Sequence, residues 1–424
     1  MSRSVSLALL LFAGSTLGAA DWPQWRGPNR DGVSTETGLL KAWPKGGPKL
    51  LWQADIGGVG YGSPAVAGGK LYIAGATDNK EGKNEFVVCL DAATGKEVWK
   101  TDAPEAKGGY LGGWGSGPRG TPTVEGGAVY HLGARGELVR LKAADGKQEW
   151  ALNLVADFGG GVPAWGYSES VLIDGDALVC TPGGKKGAIL ALDKATGKER
   201  WRCTDLEDGA GYASLVPVDV GGVRQYLTQT QAAAVSARAK DGKLMWRKDD
   251  LKRSVAVIPT PVVHKSMAFF TSGYGAGCEL FKLASSAGTT TAETVFTKNK
   301  TIANHHGGVV RVGEHLYGHT DTGNRWVCVP FGTEPEPTWE SKQLDKGSIS
   351  AAGGYLYCYG QQKGTCALVE ASPEKWNETG RLELPAKSQF PRGQGMIWAH
   401  PVIANGKLYL RDHELLFCFD IAAK

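Results

Sequence analysis

The sequence predicts an all-β chain, an eight-bladed β-propeller with four-stranded antiparallel blades whose last blade is closed by an N-terminal strand. Three observations carry this expectation. The stretch CLDAATGKEVW, Cys89 to Trp99, recurs as RLKAADGKQEW ending at Trp150, ALDKATGKERW ending at Trp201 and SARAKDGKLMW ending at Trp246. The terminal positions of the unit, Trp52, Trp99, Trp150, Trp201, Trp246, Phe296, Trp339 and Leu384, follow one another at intervals of 43 to 51 residues, room for four short strands each. The two chain ends are complementary: the last unit, HPVIANGKLYLRDHELLFCFD, stops at Lys424 where a fourth strand is due, while KLLWQAD near the N-terminus is a strand without a unit. Joining them completes eight units and closes the ring.

Taken in order, residues 1–20, MSRSVSLALLLFAGSTLGAA, read as a signal peptide. Arg3 precedes an apolar run from Leu7 to Ala13, and Gly18 and Ala20 stand at the −3 and −1 positions of a cleavage site. The run is well short of what a bilayer span requires. The expectation is a periplasmic or secreted protein with no transmembrane span in the mature chain, a single domain over residues 21–424, acting as a monomer. The 424 residues are 42% hydrophobic and 21% charged, with 61 Gly and 14 Trp, the composition of a turn-rich globular protein. A net charge of +4 with no basic stripe sets nucleic acid aside as a partner.

Each unit opens as SPAVAGGKLYIAG does: a strand, a Gly-Gly turn, then Leu71, Tyr72 and Ile73 as the next strand. TPTVEGGAVYHLG, SISAAGGYLYCYG and HPVIANGKLYLRD repeat it. At the far end of the unit, Thr-Gly or Asp-Gly supplies a positive-φ turn and the tryptophan a plate to pack on the neighbouring unit. Asp91 and Asp193 recur at that turn, where each can cap its own backbone, so they read as structural rather than catalytic. Of the eight Cys, Cys89, Cys328, Cys366 and Cys418 fall at about the same strand position of different units, too far apart to pair. Cys358 and Cys366 lie on adjacent predicted strands and could face each other.

The pattern Ala-x-Asp-x-x-Thr-Gly-x-x-x-Trp, best at Ala191, Asp193, Thr196, Gly197 and Trp201, resembles the tryptophan-docking repeat of the pyrroloquinoline-quinone (PQQ) type propellers. The segment DWPQWRGPNRDGVS, Asp21 to Ser34, is similar to the mature N-terminus of exported PQQ-like repeat proteins of the planctomycete type. The resemblance implies one of two classes, a non-catalytic envelope assembly propeller of the BamB type or a quinoprotein dehydrogenase. The second implies PQQ over a tryptophan floor beneath a disulfide of adjacent cysteines, with calcium held by Glu, Asn and Asp near a catalytic Asp. No Cys-Cys pair occurs in the chain, and no nucleophile-elbow, phosphate-loop or His-Glu-x-x-His motif is present. No catalytic or metal-binding residue is assigned.

The residues before each unit's first strand gather at one mouth of a propeller's channel. They read GVGYGSP, GWGSGPRGTP, PAWGYSES, GAGYASL, NHHGGVV and MIWAHPV. Tyr61, Trp114, Arg119, Trp165, Tyr167, Tyr212, His305, His306, Trp398 and His400 recur there as a candidate ligand- or partner-binding lining. Arg119 brings a fixed positive charge, the histidines a charge that titrates near neutrality, and the aromatics flat faces for a planar or anionic ligand. His315 and His319 in NHHGGVVRVGEHLYGH are about 13 Å apart on a strand, too far to share an ion, and read as surface or mouth residues. The expected occupant is an envelope protein or a small ligand, without a resident cofactor. The alternative is a PQQ-dependent, alcohol-dehydrogenase-like oxidoreductase with calcium.

Overall fold

Eight sheets, seven of four strands and one of five, stand around one axis in the computed structural model, which describes residues 20–77, 84–104, 114–253 and 255–423. The predicted leader therefore lies outside the described residues, Ala20 excepted. Blade one is Ala65–Ala67, Lys70–Ala76, Glu85–Asp91 and Glu97–Asp102. Blades two to seven follow at 123–153, 172–202, 216–248, 262–299, 309–341 and 347–383. Blade eight takes Val402–Ala404, Lys407–Asp412 and Leu415–Asp420 from the C-terminus and its outer strand, Lys49–Asp55, from the N-terminus. Trp52 stands opposite Cys418 as Trp99 stands opposite Cys89. The described residues form no helix, hence none long and apolar enough to cross a membrane.

The recurring turn and tryptophan are two halves of one contact. Asp91 Oδ1 accepts the N–H groups of Ala93 and Thr94 and the Thr94 hydroxyl, and Asp193 repeats this with Ala195 and Thr196. The turn then needs φ near +70° at Gly95, where the Trp52 ring of the preceding blade lies so close that a Cβ would meet it at 2.6 Å. The indole N–H of Trp52 donates to Ala92 O, that of Trp99 to Ala143 O, and that of Trp201 to Ala239 O. Trp52 and Trp99 also tilt against the second-strand tyrosine of their own blades, Tyr409 at 6.0 Å and Tyr72 at 5.9 Å, whereas Trp201 stacks on Tyr226 of the following blade at 6.2 Å and 20°. Trp52 and Trp99 are buried, whereas Trp150 and Trp201 keep part of their surface in solvent.

Blade seven departs from the repeat. Register places Leu368 opposite Tyr357 and Gly380 opposite Leu368, so the position occupied elsewhere by the tryptophan is Gly380, not Leu384. The missing plate comes from the N-terminal segment. Trp43, 7% exposed, tilts against Tyr357 at 6.0 Å and 53°, the geometry Trp52 makes with Tyr409 at 6.0 Å and 52°. A Cβ on Gly380 would lie 2.5 Å from Trp43 Cβ. The same register moves Cys366 two residues away from the position shared by Cys89, Cys328 and Cys418. Cys358 pairs with Ala367 and Cys366 with Tyr359, so adjacent residues of the ladder point to opposite faces. Cys366 packs towards blade eight and Cys358 towards blade six; both are free thiols, and the disulfide considered from sequence does not form.

The N-terminal segment also crosses the end of the ring. Trp22 bridges Val66 of blade one, Pro23 O accepts Val124 N of blade two, and Arg30 donates to Ser170 O and Val171 O of blade three. The Trp25 indole donates to Thr260 at blade five, Arg26 to Val309 O of blade six, and Val33–Ser34 adds a parallel fifth strand to blade seven. Arg26 and Arg30 are 4% and 1% exposed. Desolvation lowers both pKa values to about 10, so both remain charged, and their hydrogen bonds to backbone carbonyls compensate part of the burial cost.

Candidate functional site

The connections into each inner strand are drawn together by hydroxyls. Ser63 Oγ accepts His400 N, Ser170 Oγ accepts Thr121 N, and Ser214 Oγ accepts Ser170 N. Each bond joins one blade's connection to the next, which is the physical reason that Ser or Thr recurs before the inner strand. Arg411, 1% exposed, donates to Gly62 O, Ala74 O and His413 O and ties blade eight to blade one at the same end.

Within this collar lies a cavity of about 870 Å³, part of it open to solvent. Nine of the ten expected residues line it: Tyr61, Trp114, Arg119, Trp165, Tyr212, His305, His306, Trp398 and His400. Trp114 is 44% exposed and forms part of the rim. Trp25, carried on the N-terminal segment, lies across the base with its ring 4.6 Å from that of His400. The channel is thereby a cup closed from below. Tyr61 packs on Trp398 at 4.8 Å, Trp165 on Tyr212 at 5.9 Å, and the Arg119 guanidinium sits 5.1 Å above the Tyr61 ring. Arg119 also donates to Gly115 O, Gly117 O and Trp165 O, tying the second connection to the third.

Tyr167 is the exception. It is 1% exposed in the core between blades two and three, and its hydroxyl donates to Pro182 O. Two residues from Trp165 it would share a side in extended chain, but Gly166 has φ +79° and breaks the alternation. His319 is also a core residue, 2% exposed against Trp326, rather than a mouth residue. Sequence reasoning missed Trp25, although its segment stood out by lacking the repeat. It also missed Ser168, Ser214, Ala256, Ile258 and Tyr274; Tyr274 lies in a turn between the second and third strands of blade five, for which no sequence signal existed.

The expectation of histidines titrating near neutrality is overturned by burial. Desolvation lowers His305 to about 4, His400 to about 3 and His306 well below its ordinary value, with the Lys346 ammonium adding to the effect at His305 and His306. All three are neutral imidazoles at pH 7. Arg119 is therefore the one ionised side chain among the described lining residues, and no carboxylate is among them. The calcium set that the dehydrogenase resemblance implies needs Glu, Asn and Asp, and this lining supplies none of the three. The described residues contain no group of three His, Cys, Asp or Glu placed to hold a metal ion. The quinoprotein metal centre thus does not fit the cup, and no step is derived through it.

The family model described as outer membrane protein assembly factor BamB matches residues 83–330. A curated relative, outer membrane protein assembly factor BamB of Yersinia pestis, is 27% identical over 178 residues, 41% of this chain and 41% of that protein's length. The crystal structure of BamB from Moraxella catarrhalis superposes with a TM-score of 0.60 at 14% identity, covering 88% of this chain and 97% of that one. Quinohemoprotein alcohol dehydrogenase from Comamonas testosteroni superposes with a TM-score of 0.64 at 12% identity, covering 95% and 81%; at such identity the likeness is one of fold. With the matched family model spanning more than half of its length, this chain of eight PQQ-like blades belongs to the outer membrane protein assembly factor BamB family.

Proposed function

We propose that the protein is exported to the cell envelope and works there as a non-catalytic binding module, with the cup as its site and a small ligand as the occupant of its depth. The observation that carries this reading is the convergence of aromatic residues from separate connections onto one closed-ended cavity, from Trp114 at the rim to Trp25 at the base. Cavities with apolar walls and a few fixed polar groups are the usual form of small-molecule sites. Membership of an assembly-factor family supports a binding role, and the predicted leader supports export, with a mature N-terminus at or near Asp21. The turn-and-tryptophan contacts serve as docking plates that hold the ring rigid around the site. The oxidoreductase alternative is disfavoured by a lining without the acidic donors its metal centre needs.

Native mass spectrometry of the protein purified from producing cells tests the reading. The wild type should carry a bound species that denaturation releases, and Trp165→Ala/Trp398→Ala should lose it while melting as a folded protein. Retention of the same species by the variant places the site elsewhere and overturns the reading. Reconstitution with PQQ and calcium should give no dye-linked oxidation of alcohols; sustained turnover would restore the alternative.

A further inference from the structure

Each of the eight turns that follow an inner strand needs a left-handed residue with φ between +53° and +59°, and the chain supplies Gly at six of them, Asn405 at one and Lys265 at one. Glycine and asparagine are the residues that take this conformation at little cost. At the cup end the same requirement is met differently. The turn between the second and third strands of blade five closes with Ala276 N donating to Gly273 O at 3.1 Å, and its central residues, Tyr274 and Gly275, have φ +55° and +70°. Such a two-residue turn favours Asn-Gly; here a tyrosine holds its first place. Val255, in the connection that leads into blade five, is also left-handed at φ +58°, a genuine outlier for a β-branched residue. Among the described residues these two are the exposed large apolar side chains on left-handed backbone, Tyr274 at 47% and Val255 at 55%.

The strain at Tyr274 is held by its neighbours. Tyr274 N donates to Asp321 Oδ2 at 3.3 Å, and the Asp321 carboxylate is fixed in turn by the Lys346 ammonium at 2.6 Å. From the other side the Lys300 ammonium donates to the carbonyls of Gly275 and Ala276. Strained residues persist where the surroundings over-determine them, and they cluster at ligand clamps. The side chain shows what is gained. Tyr274 lines the cup, and its ring lies 4.7 Å from that of His305. It thereby extends a run of ring contacts along the wall, from Tyr61 to Trp398 at 4.8 Å, Trp398 to His306 at 5.9 Å and His306 to His305 at 5.3 Å. Tyr274 is the one member of this run that is exposed.

We infer that Tyr274 is a specificity-determining residue of the cup, held in a costly backbone conformation so that its accessible ring clamps a flat apolar molecule at the blade-five side of the mouth. The inference rests on the binding reading above and adds to it a contact residue and the class of surface it recognises. A turn kept only for its geometry would take Asn-Gly, as the chain does at Asn405 and Gly406 with φ +58° and +69°. Val255 directly precedes Ala256, which lines the cup with Ile258, and sets a second exposed apolar group beside a lining segment of the same blade.

Fluorescence titration of the full-length mature protein with 6-propionyl-2-(dimethylamino)naphthalene, a flat uncharged aromatic probe, tests this. Tyr274→Phe keeps the ring and should bind the probe within about threefold of the wild type. Tyr274→Ala and Tyr274→Gly remove the ring, and each should raise Kd at least about tenfold, the loss expected when an aromatic anchor is truncated. Thermal melts report whether the variants fold and test the strain. The Gly variant should melt about 1 °C above the Ala variant, because glycine takes a left-handed φ without the steric cost that alanine meets. A Gly variant that melts no higher than the Ala variant would overturn the inference. So would equal affinity of wild type and Tyr274→Ala for a probe that Trp165→Ala/Trp398→Ala loses, although the cup would then stand as a site. Probe binding that survives Trp165→Ala/Trp398→Ala would place the site elsewhere and overturn the binding reading as well. No binding of the probe to the wild type overturns the inference alone; the binding reading then falls only if the cup variant also keeps the species that copurifies.

Discussion

Trp43→Ala should destabilise the protein nearly as much as removal of an in-repeat tryptophan, although residue 43 lies outside the repeat and 337 positions before the glycine it covers. A tryptophan side chain buries on the order of 200 Å², worth about 5 kcal/mol at about 25 cal/mol per Å². Among the described residues the buried Trp43 indole N–H has no partner, which gives back about 1 to 3 kcal/mol. The net expectation is a loss of about 3 kcal/mol. Trp99, whose N–H reaches Ala143 O at 3.0 Å, should cost about 1 kcal/mol more. Gly380→Ala attacks the same contact from the other side, because its Cβ would stand 2.5 Å from Trp43 Cβ. The two substitutions should therefore be non-additive, the pair costing at least about 1 kcal/mol less than the sum of the singles. Urea unfolding followed by far-ultraviolet circular dichroism measures all four proteins without relying on the tryptophan removed. A loss below about 1 kcal/mol for Trp43→Ala, or strict additivity, would show that blade seven does not depend on the borrowed plate.

Acid should destabilise the fold over a defined window. His131, His305 and His319 are lowered to about 4, and His400 and His413 to about 3, all chiefly by desolvation. The unfolded chain binds these protons below about pH 6.5, so stability is full above that value and falls as pH drops towards 4, by about 1.4 kcal/mol per unit for each fully titrating group. Glu169, raised to about 7 by burial, runs the other way and offsets roughly one imidazole. A urea midpoint that stays constant between pH 6.5 and 4.5 would contradict this. Deleting Asp21–Ser34 should remove the cup's base together with the buried Arg26 and Arg30 ties, lowering the melting temperature and abolishing binding at the cup. Deleting Leu50–Asp55, which opens blade eight, should cause more aggregation than that truncation; equal solubility would argue against the shared blade.

The ring was legible because its information is periodic. The turn chemistry at Asp91 and Asp193 and the spacing of the tryptophans repeat often enough to expose the period, and the unpaired KLLWQAD exposes the closure. Blade seven was misread at Leu384 because the eye follows the period, whereas packing needs only a plate over Gly380 and accepts one from Trp43. The collar of the cup was legible for a related reason, since equivalent connections must meet at one mouth. Its base was not, because Trp25 sits in a segment whose path is set by long-range bonds to Thr260, Val309 and Ser170 rather than by local pattern. The charge state of the histidines was equally hidden, as desolvation is a property of the assembled ring and not of the NHHGG stretch. Tyr167 shows the local limit: one positive-φ glycine turned a residue predicted at the mouth into core.

Photo-crosslinking in the producing cell tests most directly the claim that the cup end is the binding face. A benzophenone amino acid in place of Trp114, on the exposed rim, is compared with one in place of Lys265, exposed in the turn after the inner strand of blade five and so at the opposite end of the ring. Intact mass should reveal a covalent adduct at position 114 that disappears when Trp398→Ala is added, and none at position 265. Adducts at position 265 alone, or adducts at 114 that survive Trp398→Ala, would contradict the account.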